Sequence, residues 1–270
     1  MRRIRFLVGL RPGFVLPAVA AQRAATLLQI AGPRLAFGVL AGTDTAEHRT
    51  YGDVVNHDDR FARAGEFLQV LAQAWKGRGA GGGFAHEGAH YRIDGGGLYR
   101  PPAEPLPPLY IGGGTPAAER VAAVHAQVYY HWAAAPAIFA ARLRRVADLA
   151  AAEGRNLRFG VRAHLVARET EALARRELDR VSFQSPRVAS AAEIYYEVSP
   201  GLWTAAGSGR AILVGSHAQV AARLETLHGL GADSFILSAD DALDDPLRIA
   251  EEVLPLVRAA RPAATAPTAP

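Results

Sequence analysis

The chain has 270 residues, 50% of them hydrophobic, enough core for one α/β barrel or for one to two ordinary domains. It carries 30 basic and 26 acidic residues, a formal charge of +4, and no cysteine, which excludes disulfides, thiolate catalysis and cysteine-ligated metals. Lys76 is the one lysine, and the arginines are interleaved with acids, as in Glu169, Glu171, Arg175, Arg176 and Glu177. That pattern reads as a solvated helix face, so no nucleic-acid partner is expected.

Met1 to Leu10 begins basic and turns apolar, but Arg11-Pro12 stops the run early. Ile4 to Leu10 therefore reads as a buried strand rather than a signal peptide, and no run approaches the ~20 apolar residues of a membrane span. A cytoplasmic protein with no membrane partner is the expectation. Pro17 opens a helix through Ile30. Leu35 to Leu40 is a second strand, and after a charged stretch Asp58 to Trp75 has helical periodicity. Gly79 to Gly83 is a break, and Phe84 to Ile93 a small hairpin turning at Glu87-Gly88. The proline-rich Pro101 to Pro108 leads into a strand, Leu109 to Ile111, that ends at Gly112-Gly113-Gly114-Thr115.

Pro116 to Ala126 is a helix, Val128 to Trp132 a strand, Pro136 to Glu153 a helix and Leu157 to Ala167 a strand. Glu169 to Arg180 is a helix, and Ser182 to Ser208 has no regular pattern. Ser216 to Leu230, Ser234 to Ser238 and Pro246 to Ala260 form a last helix, strand and helix; the tail 261–270, rich in Ala, Pro and Thr, is expected to be disordered. Alternating strands and helices imply parallel βαβ units, which suits a doubly wound sheet and a barrel alike. No Gly-x-Gly-x-x-Gly follows the first strand, which counts against a dinucleotide-binding fold.

Several segments together carry a resemblance. They are Arg11-Pro12 with Pro17 and Ala24-Ala25-Thr26-Leu27, His57 to Ala64, Phe84 to Tyr91 and Leu109 to Thr115. Arg158-Phe159-Gly160-Val161-Arg162-Ala163-His164, Arg168-Glu169-Thr170, Leu213-Val214-Gly215 and Asp233 to Ser238 complete the set. In order and spacing, from about residue 3 to 258, the chain resembles the bacterial luciferase-like flavin monooxygenases, in particular the alkanesulfonate monooxygenase type. The resemblance implies an α/β, TIM-barrel-like (β/α) fold, here incomplete with about six of eight βα units, in one domain over 1–260. It implies reduced FMN, supplied by an NAD(P)H-dependent flavin reductase, acting with O2 on a small organic anion. A homo-oligomer is expected. A non-catalytic flavin-binding relative and a deazaflavin-dependent oxidoreductase are the alternative readings.

The match begins at the family's third strand, so the segment bearing a family histidine and cysteine has no counterpart. Open sheet edges are expected at Ile4 to Leu10 and Ser234 to Ser238, to be paired with another chain or capped by Ser182 to Ser208. The family's Tyr in its His-x-x-Arg-Tyr segment is Phe61 here, its Asn and Thr on the next strand are Gly38 and Ala41, and the Tyr after its last strand falls on Asp240.

Arg162 and His164 are the catalytic candidates: two apart on a strand, they share a face, which in a barrel points inward. The arginine would stabilise an anionic oxygen and the histidine would orient substrate or relay a proton. An arginine paired with a core carboxylate and a hydrogen-bonded core histidine are the bland readings. His57, Gly113, Gly114, Thr115 and Trp132 are candidates for holding the flavin, with Gly113, Gly114 and Thr115 at its phosphate. A plain strand-to-helix turn with Thr115 as its cap is the alternative there, a surface histidine for His57 and a core aromatic for Trp132. Arg11 and Arg210 are candidates for substrate; a structural ion pair is the alternative for Arg11. His86, His90, His125, His131, His217 and His228 show no metal-ligand spacing, and no metal is expected.

Overall fold

The computed structural model describes residues 4–42, 45–184, 195–205, 210–240 and 244–259. The chain divides into two compact units, Met1–Tyr130 with Arg145–Arg158, and His131–Arg144 with Phe159–Pro270.

In the first unit the order is β1 (Phe6–Leu10), α1 (Pro17–Ala31), β2 (Leu35–Val39), α2 (Thr45–Thr50), α3 (His57–Trp75), β3 (Phe84–Glu87), β4 (Arg92–Gly96), β5 (Leu109–Gly112) and α4 (Pro116–His125). Strand β6 (Val128–Trp132) then leads out of it. β1 pairs β2, β2 pairs β5 and β5 pairs β6, all parallel, so spatial order follows chain order. Parallel neighbours need crossovers, and α1, α3 and α4 provide them. The helices start where local chemistry says they should. Pro17 and Pro116 stand at first-turn positions, and the Asn56 side chain accepts the Asp59 amide at 3.0 Å to cap α3. α1 buries Ala20, Ala21, Ala24 and Ala25, small residues that let α3 come close with Phe67, Leu68 and Leu71. Among the described residues β1 has β2 as its one neighbour, and Phe6 and Leu7, on alternate faces, are each 45% exposed. The expected apolar edge at the first strand is present.

The second unit takes in the start of α5 (Pro136–Ala152), then β7 (Arg158–Arg168), α6 (Glu171–Gln184), β8 (Tyr195–Ser199), β9 (Leu202–Ala205), β10 (Ala211–Ser216), α7 (His217–Gly229), β11 (Ala232–Ser238), α8 (Asp244–Arg248) and α9 (Leu254–Ala259). β7 is long enough to take two parallel partners in series. β11 pairs with it up to His164↔Ser238, and β10 pairs onward from His164↔Ile212 to Arg168↔Ser216. β8, β9 and β10 form an antiparallel run.

The expectation of irregular structure over 182–208 is corrected for 182–184, which complete α6, and for 195–205. Tyr195 to Ala205 is a hairpin turning at Pro200-Gly201, its strands too short and too mixed in polarity to show alternation. The remainder of that stretch from 185, and the tail 261–270, lie outside the described residues. Ala211–Ser216, read only as a motif, is a fully fledged strand, and Thr45–Thr50, read as a charged stretch, is a short helix. The last helix begins at Asp244 and passes through a π-turn at Ile249–Val253. No helix among the described residues is long and apolar enough to cross a membrane.

A buried ionic cluster ties the first unit together. The Asp53 carboxylate accepts from both terminal nitrogens of Arg63, at 2.5 and 3.1 Å, and meets His48 Nδ1 at 2.7 Å. Arg63 also donates to the Pro12 carbonyl at 3.3 Å, so α2, α3 and the turn after β1 converge on one charge. The Arg63 hydrogen bonds, opposed by burial and aided by His48 and the Val55 amide, hold the Asp53 carboxyl far below the usual carboxylate range. A depressed carboxyl stabilises the fold above its unfolded pKa of about 3.9, and that contribution fades as pH falls toward the folded value. Asp53→Asn is therefore expected to cost about 3 kcal/mol in urea unfolding at pH 7, because it strands the Arg63 charge. The gap to wild type should narrow below pH ~4; a gap that stays constant down the acid limb would contradict this role.

Candidate active site

In the first unit, the link from β5 to α4 is Gly113-Gly114-Thr115. Thr115 is the N-cap of α4, its Oγ1 accepting the Ala118 amide at 3.3 Å, and the Tyr129 hydroxyl donates to the Gly113 carbonyl at 2.7 Å. Gly113 has φ +146°, and a Cβ there would lie 2.5 Å from the Ala118 Cβ and 3.1 Å from the Phe61 ring. Glycine is required: the backbone passes where no side chain fits. His57, first residue of α3, has its ring 5.2 Å from that of the buried Phe61. His57, Gly113, Gly114 and Thr115 thus gather around Phe61, with the N-termini of α3 and α4, both positive dipole ends, on one neighbourhood. Against an anion there, Asp58 and Asp59 occupy the first turn of α3, and His57 Nδ1 lies 3.2 Å from Asp58. Arg11 stands apart from this group. Its guanidinium is paired with Glu47 at 2.8 Å and stacked 4.3 Å over Phe14, and the Glu47 hydrogen bond raises its pKa.

In the second unit, β7 sorts its side chains by alternation. Val161, Ala163 and Leu165 enter the apolar cluster built with Phe139 and Leu143 of α5 and Val220 and Leu224 of α7. Arg162 and His164 therefore point to the opposite face. The Arg162 guanidinium stacks 4.4 Å over the Trp132 ring, a contact that holds a planar cation flat while leaving its edge open. His164 is 6% exposed, with Nδ1 3.1 Å from Ser238 Oγ and Nε2 3.0 Å from Asp240 Oδ1. The Asp240 contact is close but bent, so Nε2 makes a charge contact rather than an aligned hydrogen bond. Among the described residues Arg162 meets Trp132 rather than a core carboxylate, and the residue is exposed.

Arg210 reaches the Tyr195 hydroxyl at 3.4 Å, on the hairpin side of the unit. A cavity of about 250 Å³ lined by Ala133, Pro136, Leu202, Leu213, Arg223 and Leu227 opens on the α5–α7 side and contains none of the expected residues. Ser238 and Asp240 are the site residues that sequence reasoning did not assign. Both ends of the contact lay on strands read from the sequence, but the register that sets Ser238 opposite His164 is a tertiary fact. Arg168 of the Arg-Glu-Thr motif proves structural, bridging Glu177 and Asp245 at 3.1 Å each, while Thr170 caps α6.

A sequence model of the luciferase-like monooxygenase family matches residues 2–234. Among solved structures, the EDTA monooxygenase EmoA from Chelativorans sp. BNC1 is similar with a TM-score of 0.76 at 19% identity, over 95% of this chain and 73% of that one. DmoA from Hyphomicrobium sulfonivorans is similar with a TM-score of 0.75 at 18% identity, over 96% of this chain and 68% of that one. An F420-dependent secondary alcohol dehydrogenase, in complex with an F420–acetone adduct, is similar with a TM-score of 0.68 at 19% identity, over 90% and 75%. At these identities the likeness is one of fold, and it agrees with the barrel-like α/β class expected from the sequence.

The turn geometry separates its two glycines. Gly113→Ala is expected to lower the unfolding free energy in urea by about 1 kcal/mol or more, through its left-handed φ and the Ala118 contact. Gly114→Ala should be near neutral; equal losses at both positions would show that the turn is shaped by something other than the Gly113 backbone.

Proposed function

Because the chain belongs to the luciferase-like monooxygenase family, we propose that it is an FMN-dependent monooxygenase acting on a small organic anion of the alkanesulfonate type. Reduced FMN would come from a separate NAD(P)H-dependent flavin reductase, and bound flavin supplies the O2 activation that side chains lack. The observation that carries the reading is Arg162, stacked on Trp132 beside the buried His164, on the face of β7 turned from the helices. A fixed, permanently charged planar donor suits a sulfonate or a developing oxyanion, because its oxygens can be met by two parallel N–H bonds. His164 would hold or pass a proton at that face.

The first unit's residues fit a phosphate. The Gly113 backbone packs directly against Ala118 and Phe61, so the phosphate would be met by the exposed Gly114 and by the Thr115 hydroxyl, which keeps its proton to donate while its oxygen caps α4. His57 would add a ring nitrogen nearby. Phe61 brings a ring rather than a hydroxyl to the same place, so the backbone and Thr115 carry the binding.

Fluorescence titration of the purified protein with reduced FMN tests the reading most directly. Thr115→Asp, which sets a negative charge against the phosphate, is expected to weaken binding at least ~10-fold, about 1.4 kcal/mol. Unchanged affinity would remove Thr115 from the phosphate site, no binding by wild type would favour a non-catalytic relative, and preference for F420 would move the protein to the deazaflavin branch. With a flavin reductase and an alkanesulfonate present, sulfite release should fall on the order of 10²-fold in Arg162→Ala, and less in His164→Ala. Release unaffected by Arg162→Ala would take the arginine out of the mechanism.

A further inference from the structure

His164 touches a hydroxyl through one ring nitrogen and a carboxylate through the other, and it is the most buried of the three groups. Ser238, at the end of β11, is half-buried; the His164 side chain is 8% exposed; the Asp240 side chain is 24% exposed. The β7–β11 ladder places Ser238 directly opposite His164, so the Oγ–Nδ1 distance of 3.1 Å is set by backbone register and not by a chance rotamer. On the other side, a bare Nε2 lone pair 3.0 Å from a carboxylate oxygen would be repelled. Nε2 must therefore carry the proton of a neutral ring, which leaves Nδ1 as the acceptor for the Ser238 hydroxyl.

We propose that Ser238 and His164 form a proton relay that takes up and returns a proton at the Arg162-bearing face, with Asp240 as the positioning residue that fixes the His164 tautomer. The role in turnover rests on the monooxygenase reading; the tautomer does not. A proton arriving at Ser238 Oγ displaces the hydroxyl's own proton to Nδ1. The ring then bears protons on both nitrogens, and its charge faces Asp240. Release from Nδ1 back through Ser238 reverses the step; no heavy-atom bond changes and no electron moves. Among the described residues, charges nearby include Arg162, two residues away on the same face, and Arg180 of α6, which is held chiefly by Glu177 and also acts on Asp240.

The test is a long-range ¹H–¹⁵N correlation spectrum of the whole protein, ¹⁵N-labelled on histidine, with His164 assigned by loss of its signals in His164→Gln. In alkaline buffer the wild type should show a protonated Nε2 and an unprotonated Nδ1. Asp240→Ala should turn the ring to a mixture of tautomers, and Asp240→Glu should restore the single form. A wild-type ring protonated on Nδ1, or a tautomer untouched by Asp240→Ala, overturns the proposal, and the first of these needs no variant to fold. In flavin-loaded turnover, Ser238→Ala should lower kcat on the order of 10²-fold with KM unchanged; unchanged kcat overturns the relay. Wild type that binds no FMN defeats the functional reading instead, and leaves the tautomer result standing.

Discussion

The alternation of β7 is the constraint on which the second unit depends. A parallel strand must cover one face with helices, and Val161, Ala163 and Leu165 do so against α5 and α7. Once those residues are committed, Arg162 and His164 have no choice of direction, because a shift of one residue would drive an arginine into the apolar cluster. Strand length adds a second consequence. With eleven residues, β7 meets β11 along its first half and β10 along its second, and His164 is the residue where the partners change. Ser238 terminates β11 at that same point, so the hydroxyl is delivered to the imidazole by the end of a ladder.

The two units secure their loops by different means. The first holds ion pairs on buried carboxylates, among them the Asp53, Arg63 and His48 cluster that draws three segments together and the Glu119–Arg145 pair. The second spreads its ion pairs, with Arg168 spanning Glu177 and Asp245 and Arg175 joining Glu171. A buried carboxylate with two partners is costly to break, since the remaining cation stays desolvated, whereas exposed pairs such as Arg175–Glu171 contribute little each.

The fold was legible where periodicity is strong. Pro17, Thr115 and Ser216 mark helix starts that local chemistry alone identifies, and Ser216 with Gln219 forms a full capping box. The shared face of Arg162 and His164 followed from their spacing on an apolar strand. What could not be read was set by register and by short elements. The Tyr195–Ala205 hairpin has strands of five and four residues, too short for alternation to stand out. The Arg162–Trp132 stack joins positions thirty apart in the chain, and the His164–Asp240 contact depends on where β11 ends. Arg11, by contrast, looked equally suited to a substrate and to an ion pair, and it meets Glu47 and Phe14.

Two positions where the resemblance expects a tyrosine have changed in opposite directions. Phe61 puts an apolar ring against Gly113, so that neighbourhood loses a hydroxyl and must rely on backbone amides and Thr115 to meet an anion. Asp240 puts a full negative charge against His164, a group that can stabilise a cationic ring as no neutral phenol can. At the end of β11 a carboxylate, an imidazole and a hydroxyl stand in line.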